Sequence, residues 1–325
     1  MLYYEDALKA DTVTVEKVTF PNKLISLAGN VYKPKAENLQ REKYAAIIIG
    51  HPAGGVKEQT VGTYAVKLAE KGYLTLTFDA GYQGESGGMP RYLESPEERV
   101  EDFRCAVDYL MTRADVAAES IGILGMCAAG GYVIKAAGTD LRIKAVATIS
   151  MADLGDLFRN GLERTMKKEG RQSLLAQIAT QRTQEAQGEP MIYGGYVANS
   201  EEELAGKQND YWEAYEYYRK SPAKHPNSPN KFIFSRMGST MSFTALDRVE
   251  FLGTRPLLII AGTKANTRYF AEETYEKYSG AKELYWVDGA THIELYWKKK
   301  YILSAVEKLA DFYAKALEKD RSWSR

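Results

Sequence analysis

Residues 121–135 read IGILGMCAAGGYVIK, an apolar run of strand length that passes within three residues into alanine and glycine. If GGYVIKAA opens a helix, the chain must turn from strand to helix with almost no space beside its pivot. Only small side chains meet that demand, and Gly125, Ala128, Ala129 and Gly130 supply them. The pivot is Cys127, whose thiol is left above the carboxyl end of the strand and against a helix N-terminus. A strand–turn–helix of this kind, written G-x-S-x-G, presents a nucleophile; here cysteine replaces serine and Ala129 stands where the second glycine is expected. The helix dipole and the backbone N–H groups are expected to lower the thiol pKa.

The rest of the chain gives this turn a setting. Apolar or alternating runs rich in Val, Ile, Tyr and Phe lie at 13–20, 24–32, 44–49, 73–78, 121–126, 143–150, 256–261 and 283–287, which predicts about eight strands. Helical patterns separate several of them. In SPEERVEDFRCAVDYL, Ser95 offers an N-cap, Pro96 fits the first turn and Glu98 suits a capping box. Val100, Phe103, Val107 and Leu110 form its apolar stripe, with Cys105 beside it as a buried, inert thiol. Helices alternating with near-continuous apolar strands specify an α/β fold, a mostly parallel sheet covered on both faces. From 154 to 250 no convincing strand is seen, and the segment is read as a helical lid inserted between two parts of a core, residues 1–153 and 251–325.

Charge and cysteine usage narrow the function. The 325 residues carry 43 Lys+Arg against 43 Asp+Glu, so there is no electrostatic footprint for nucleic acid or an anionic membrane. The start, MLYYEDALKADTV, lacks an apolar signal-peptide core, and no uncharged stretch reaches about 18 residues. A cytoplasmic protein is expected. Cys105 and Cys127 are too few for a disulfide framework and have no close histidine or second cysteine to suggest zinc.

A thiol nucleophile needs a base, and His51, His225 and His292 are the histidines available. His225 lies in the loop SPAKHPNSPNK, and His51 opens HPAGGVKE after a strand, where a structural role is expected. His292, in DGATHIELY after the last strand and well C-terminal of Cys127, is the candidate base. The N–H groups near Ala53 and of Ala128 are the expected oxyanion donors. After PLLIIAG, Ala265 occupies the place where an acid would orient the histidine, which leaves Asn266 and Asp153 as equal candidates for that role.

HPAGGVKEQ, FDAGYQGESGGMPRYLE, IGILGMCAAGGY and DGATHIELY together resemble the α/β-hydrolase superfamily, most closely its dienelactone-hydrolase-like and fungal polyketide-transferase-related branch. The similarity covers residues 10–150 and 250–315. It implies an α/β-hydrolase fold and, through an acyl-cysteine, cleavage of a small carboxylic ester, lactone or thioester, with no metal or organic cofactor. Transfer of the acyl group to an alcohol or amine, or ligand binding without turnover, are the alternatives. Tyr82 in the glycine-rich turn and Tyr211, Tyr215 and Tyr218 in the insertion are the candidate substrate contacts. The tyrosine-rich surface makes a homodimer plausible.

Overall fold

Three isoleucines in a row, Ile47, Ile48 and Ile49, are all fully buried, yet Ile48 packs into one hydrophobic cluster while Ile47 and Ile49 pack into another. A strand with solvent on one face cannot do this; a sheet clad on both faces requires it. In the computed structural model, which describes residues 1–317, that strand is β3 (Tyr44–Gly50). It follows β1 (Val13–Asn22) and β2 (Ile25–Pro34) and precedes β4 (Leu74–Phe78), β5 (Val116–Met126) and β6 (Ile143–Ile149). After β6 come the short strands β7 (Tyr193–Gly194) and β8 (Phe232–Ile233), and then β9 (Leu257–Gly262) and β10 (Lys282–Val287).

The main sheet has eight strands in the order β1-β2-β4-β3-β5-β6-β9-β10. β1 pairs antiparallel with β2 and β2 with β4, whereas every pairing from β4 to β10 is parallel. All eight strands expected from the sequence are present, because each carries enough Val, Ile, Leu or aromatic side chains to bury its faces.

Helices α1 (Tyr4–Leu8), α2 (Thr60–Ala69), α3 (Pro96–Met111) and α4 (Ala129–Thr139) lie in the first half of the chain. Then follow α5 (Leu154–Asn160), α6 (Lys168–Ala186), α7 (Asn209–Tyr215) and α8 (Met237–Ser242), with α9 (Arg268–Lys277), α10 (Glu294–Trp297) and α11 (Lys299–Leu317) at the end. Apolar residues of α3, α4 and α9 fill one cluster, those of α1, α2, α10 and α11 the other. Among the described residues no helix is long and apolar enough to cross a membrane.

Two local expectations are revised. Ser95 does cap α3, accepting the Glu98 N–H at 3.4 Å, but the Glu98 carboxylate turns outward to Asn22 and Lys23 instead of closing a capping box. Between β6 and β9 the chain is largely helical, yet β7 and β8 form a small antiparallel pair that their short length hides from periodicity.

A buried ion cluster joins the turns after β3 and β4. Lys57 is 1% exposed, with Nζ 2.9 Å from Asp79, 2.7 Å from Glu58 and 2.6 Å from Glu85. The Asp79 carboxylate also accepts the N–H groups of Lys57 and Glu85, so HPAGGVKE and DAGYQGES are clamped together. These carboxylates hold the ammonium above its ordinary pKa. Removing one partner of a buried pair strands the other charge. Lys57→Met is therefore expected to lower the unfolding free energy by about 3 kcal/mol or more, read by urea denaturation.

Candidate active site

β5 enters α4 through Cys127, which has φ +54°, a left-handed conformation that costs an L-residue with a side chain roughly 1–2 kcal/mol. The turn is held from both sides. The Cys127 N–H donates to Ile149 at 3.0 Å, and its carbonyl accepts Gly130 at 2.9 Å and Ala152 at 2.9 Å. A Cβ at Gly125 would lie 2.4 Å from the Ala129 carbonyl oxygen, and one at Gly130 would lie 2.4 Å from Met151 Cβ. The small residues are thus required by contact with the loop after β6 and with the helix itself. The N–H groups of Ala128 and Ala53 both face the Cys127 sulfur and favour its thiolate form.

The Ala53 loop is fixed from behind. Because the Ala80 N–H donates to His51 Nε2 at 3.1 Å, that nitrogen is the acceptor, and Nδ1–H is left to donate to the Pro52 carbonyl at 2.7 Å. His51 is structural, as its position after β3 suggests. Arg99, 4% exposed, donates to the His51 carbonyl at 2.8 Å and lies 5.1 Å over the Tyr132 ring. Glu94 accepts the hydroxyls of Tyr132 at 2.9 Å and of Tyr196 at 3.1 Å. Glu94 and Arg99 gave no sequence signal beyond lying near a helix start, since their role depends on a loop far away in the chain.

His292 follows β10 and its carbonyl is held by the Ser150 hydroxyl at 3.2 Å. Its ring is bonded at both nitrogens: Nδ1 lies 2.5 Å from Thr267 Oγ1, and Nε2 lies 2.8 Å from the Tyr296 hydroxyl. Tyr296 also faces the Cys127 sulfur, lining the same cavity. Neither residue expected to orient the histidine does so. Asp153 caps α5, accepting Asp156 N–H at 2.9 Å and Ala245 N–H at 2.7 Å. The Asn266 side chain donates to Gln208 at 2.9 Å, on the exposed side of the loop. Thr267, one position further, is the residue turned inward. Tyr296 lies one helical turn beyond His292 in THIELY, an i, i+4 spacing that marks both as neighbours.

Cys127, His292, Thr267 and Tyr296 open onto one cavity of about 320 Å³. Ala53, Leu157, Phe158, Leu162 and Val197 make most of its wall apolar, while Asp210 is the one carboxylate lining it among the described residues. Tyr211 and Tyr218 line it. Tyr215 instead packs under Lys220 Nζ at 5.4 Å, and Tyr82 sits in the turn after β4 with its ring against Gly88. The causes differ: Tyr82 belongs to a separate loop, and beyond α7 the chain winds as a π-helical turn over Glu216–Lys220, which breaks the α-helical register that would have put Tyr215 and Tyr218 on one face.

Burial sets the charge state. Desolvation raises the Cys127 thiol above its ordinary pKa, although Tyr296, the two N–H groups and Arg99 all oppose it. The expected lowering is thus overturned; a helix terminus supplies about 1 kcal/mol, whereas full burial moves a pKa by as much as 3–5 units. Burial also lowers His292 from 6.5 to about 4. Thiol and imidazole are both neutral at pH 7.

A histidine depressed in the folded state stabilises fully above its unfolded pKa, and that contribution is lost as pH falls to the folded value. Stability is expected to decline between pH 6.5 and about 4, where the unfolded chain takes up protons that His292 and the similarly depressed His51 refuse. His292→Gln should flatten part of that decline in thermal melts across the same pH range.

Comparison with known proteins places this geometry. A model of the dienelactone hydrolase family matches residues 27–151. YcjY of Escherichia coli, an uncharacterised protein, is 38% identical over 306 residues, 93% of this chain and 99% of its own. The crystal structure of the hypothetical protein PA2218 from Pseudomonas aeruginosa matches with a TM-score of 0.87 and 35% identity, covering 94% of each chain. The thiohydrolase aneE of Aspergillus aculeatus is 30% identical over 158 residues, 49% of this chain and 45% of its own. Solved α/β hydrolases share the sheet and its flanking helices. The chain is an α/β-hydrolase-fold enzyme that carries a dienelactone hydrolase family domain over residues 27–151 and belongs to one family with YcjY and PA2218.

Proposed function

We propose that this enzyme cleaves a carboxylic ester, lactone or thioester through an acyl-cysteine on Cys127. The observation that carries the reading is the convergence of the Ala53 and Ala128 N–H groups on the Cys127 sulfur. A carbonyl carbon attacked by that sulfur places its oxygen beside the same two donors, which stabilise the oxyanion as it forms. His292 accepts the thiol proton at Nε2, the nitrogen that the Tyr296 hydroxyl meets at 2.8 Å, while its Nδ1 is held against Thr267. The leaving alcohol or thiol departs with that proton, and His292 then activates water to hydrolyse the acyl-enzyme. Residues 154–250 serve as a cap, contributing Leu157, Phe158, Val197, Tyr211 and Tyr218 to the cavity. Such a wall favours an uncharged, apolar acyl group, and Asp210 disfavours an anionic one.

Steady-state hydrolysis of short-chain p-nitrophenyl esters and thioesters, with intact mass recorded in parallel, tests the reading. Wild type is expected to turn over repeatedly and Cys127→Ala to lose that turnover. A stoichiometric adduct without turnover would exclude water as the acceptor and leave acyl transfer to an alcohol or amine, or ligand capture. Turnover that survives in Cys127→Ala would end the proposal.

The acid limb of kcat/KM is expected near pH 4, because burial holds His292 neutral down to about 4. Thr267→Val, which keeps the shape and removes the hydroxyl, should lower kcat by about tenfold or more with little change in KM. An acid limb near the ordinary histidine value, or an unaltered kcat in Thr267→Val, would show that this imidazole is not the base so held.

A further inference from the structure

The hydroxyl of Tyr296 lies 2.8 Å from His292 Nε2, the nitrogen that would have to receive the thiol proton. The same hydroxyl faces the Cys127 sulfur in the cavity that Cys127, His292 and Tyr296 line together. Tyr296 is 1% exposed, and its ring is fixed by edge contacts with Tyr217 at 5.5 Å and Tyr218 at 6.5 Å. Besides Cys127 and His292, those two phenols are the titratable groups against it, and burial keeps both protonated. In the Nδ1–H tautomer, with that proton on Thr267, Nε2 is the acceptor, so the phenol donates to it and its oxygen can take the thiol proton.

We propose that Tyr296 is a catalytic residue that relays the proton from Cys127 to His292. This rests on the reading of Cys127 as nucleophile and His292 as base. The S–H proton passes to the Tyr296 oxygen while the phenol's own proton passes to Nε2. The phenol ends neutral, now donating to the thiolate, and accepts from the imidazolium. Sulfur then bonds to the carbonyl carbon, the carbonyl electron pair moves to oxygen, and the leaving group takes the proton held by His292 as its bond breaks. The relay gives two neutral, buried groups a path to a charge pair formed only as the substrate is attacked, with the phenol hydrogen-bonded to both charges.

Rapid-mixing acylation of the full chain by p-nitrophenyl acetate tests the relay. Tyr296→Phe keeps the ring against Tyr217 and Tyr218 and deletes only the hydroxyl. It is expected to slow acylation about 100-fold at pH 7 with KM changed by less than about threefold, and the deficit should shrink only well above pH 9.0, the ordinary thiol value that burial exceeds here, as hydroxide ionises the thiol unaided. In wild type, acylation rate against deuterium fraction should be curved, since two protons move together. A rate in Tyr296→Phe within about threefold of wild type at pH 7, a deficit that persists undiminished at high pH, or a straight-line deuterium dependence in wild type would each overturn the relay. Cys127→Ala and His292→Gln, measured alongside, separate the two levels. An adduct in Cys127→Ala, or unimpaired acylation in His292→Gln, sinks the underlying reading; a slow His292→Gln beside a fast Tyr296→Phe sinks the relay alone.

Discussion

The close approach of β5, α4 and the loop after β6 governs this molecule. Where Gly125 and Gly130 pass Ala129 and Met151, there is no space for a Cβ, and the chain between them is forced through Cys127 in a left-handed conformation. Hydrogen bonds from both directions hold it there, so the strain is sustained by the packing of the whole sheet rather than by the turn itself. The result is a thiol in a fixed position at the carboxyl end of the central strands, facing two backbone donors. Because β6 and β9 end beside it in parallel register, the loops that carry Met151–Asp153 and Ala265–Thr267 converge there.

Electrostatics at the site is decided by burial more than by proximity. The apolar cavity wall and the rings of Tyr217, Tyr218 and Tyr296 take both the thiol and the imidazole out of water, and each shifts toward its neutral form. A thiolate–imidazolium pair at rest would need compensation that a threonine hydroxyl and a phenol cannot supply. Threonine at Nδ1 is consistent with that state, since a neutral imidazole needs its tautomer fixed but has no positive charge for a carboxylate to balance.

Clamping recurs on a larger scale. The Lys57 cluster fastens the loop after β3 to the loop after β4, and Arg99 ties the His51 carbonyl to α3. Glu94 reaches both Tyr132 of α4 and Tyr196 of the segment between β6 and β9, so the elbow helix and the cavity wall share one acceptor. The donors of Ala53 and Ala128 owe their positions to these buried polar contacts.

The eight strands, the pivot at Cys127 and His292 beyond β10 were legible because each is written in contiguous residues. Apolar runs demand burial, and a tight turn demands small side chains. The partners of His292 were not legible. Asn266 and Thr267 are adjacent and equally polar, and which of them turns inward depends on how the loop after β9 packs beneath α7; Asp153 is close in the fold but is consumed in capping α5. A two-faced α/β sheet and the residue at its sharpest turn follow from the order of the residues, because steric and hydrophobic demands act locally along the chain. Which hydroxyls meet the imidazole, and that thiol and imidazole both rest uncharged, emerges only on folding, because hydrogen-bond partners and desolvation come from segments distant in the chain.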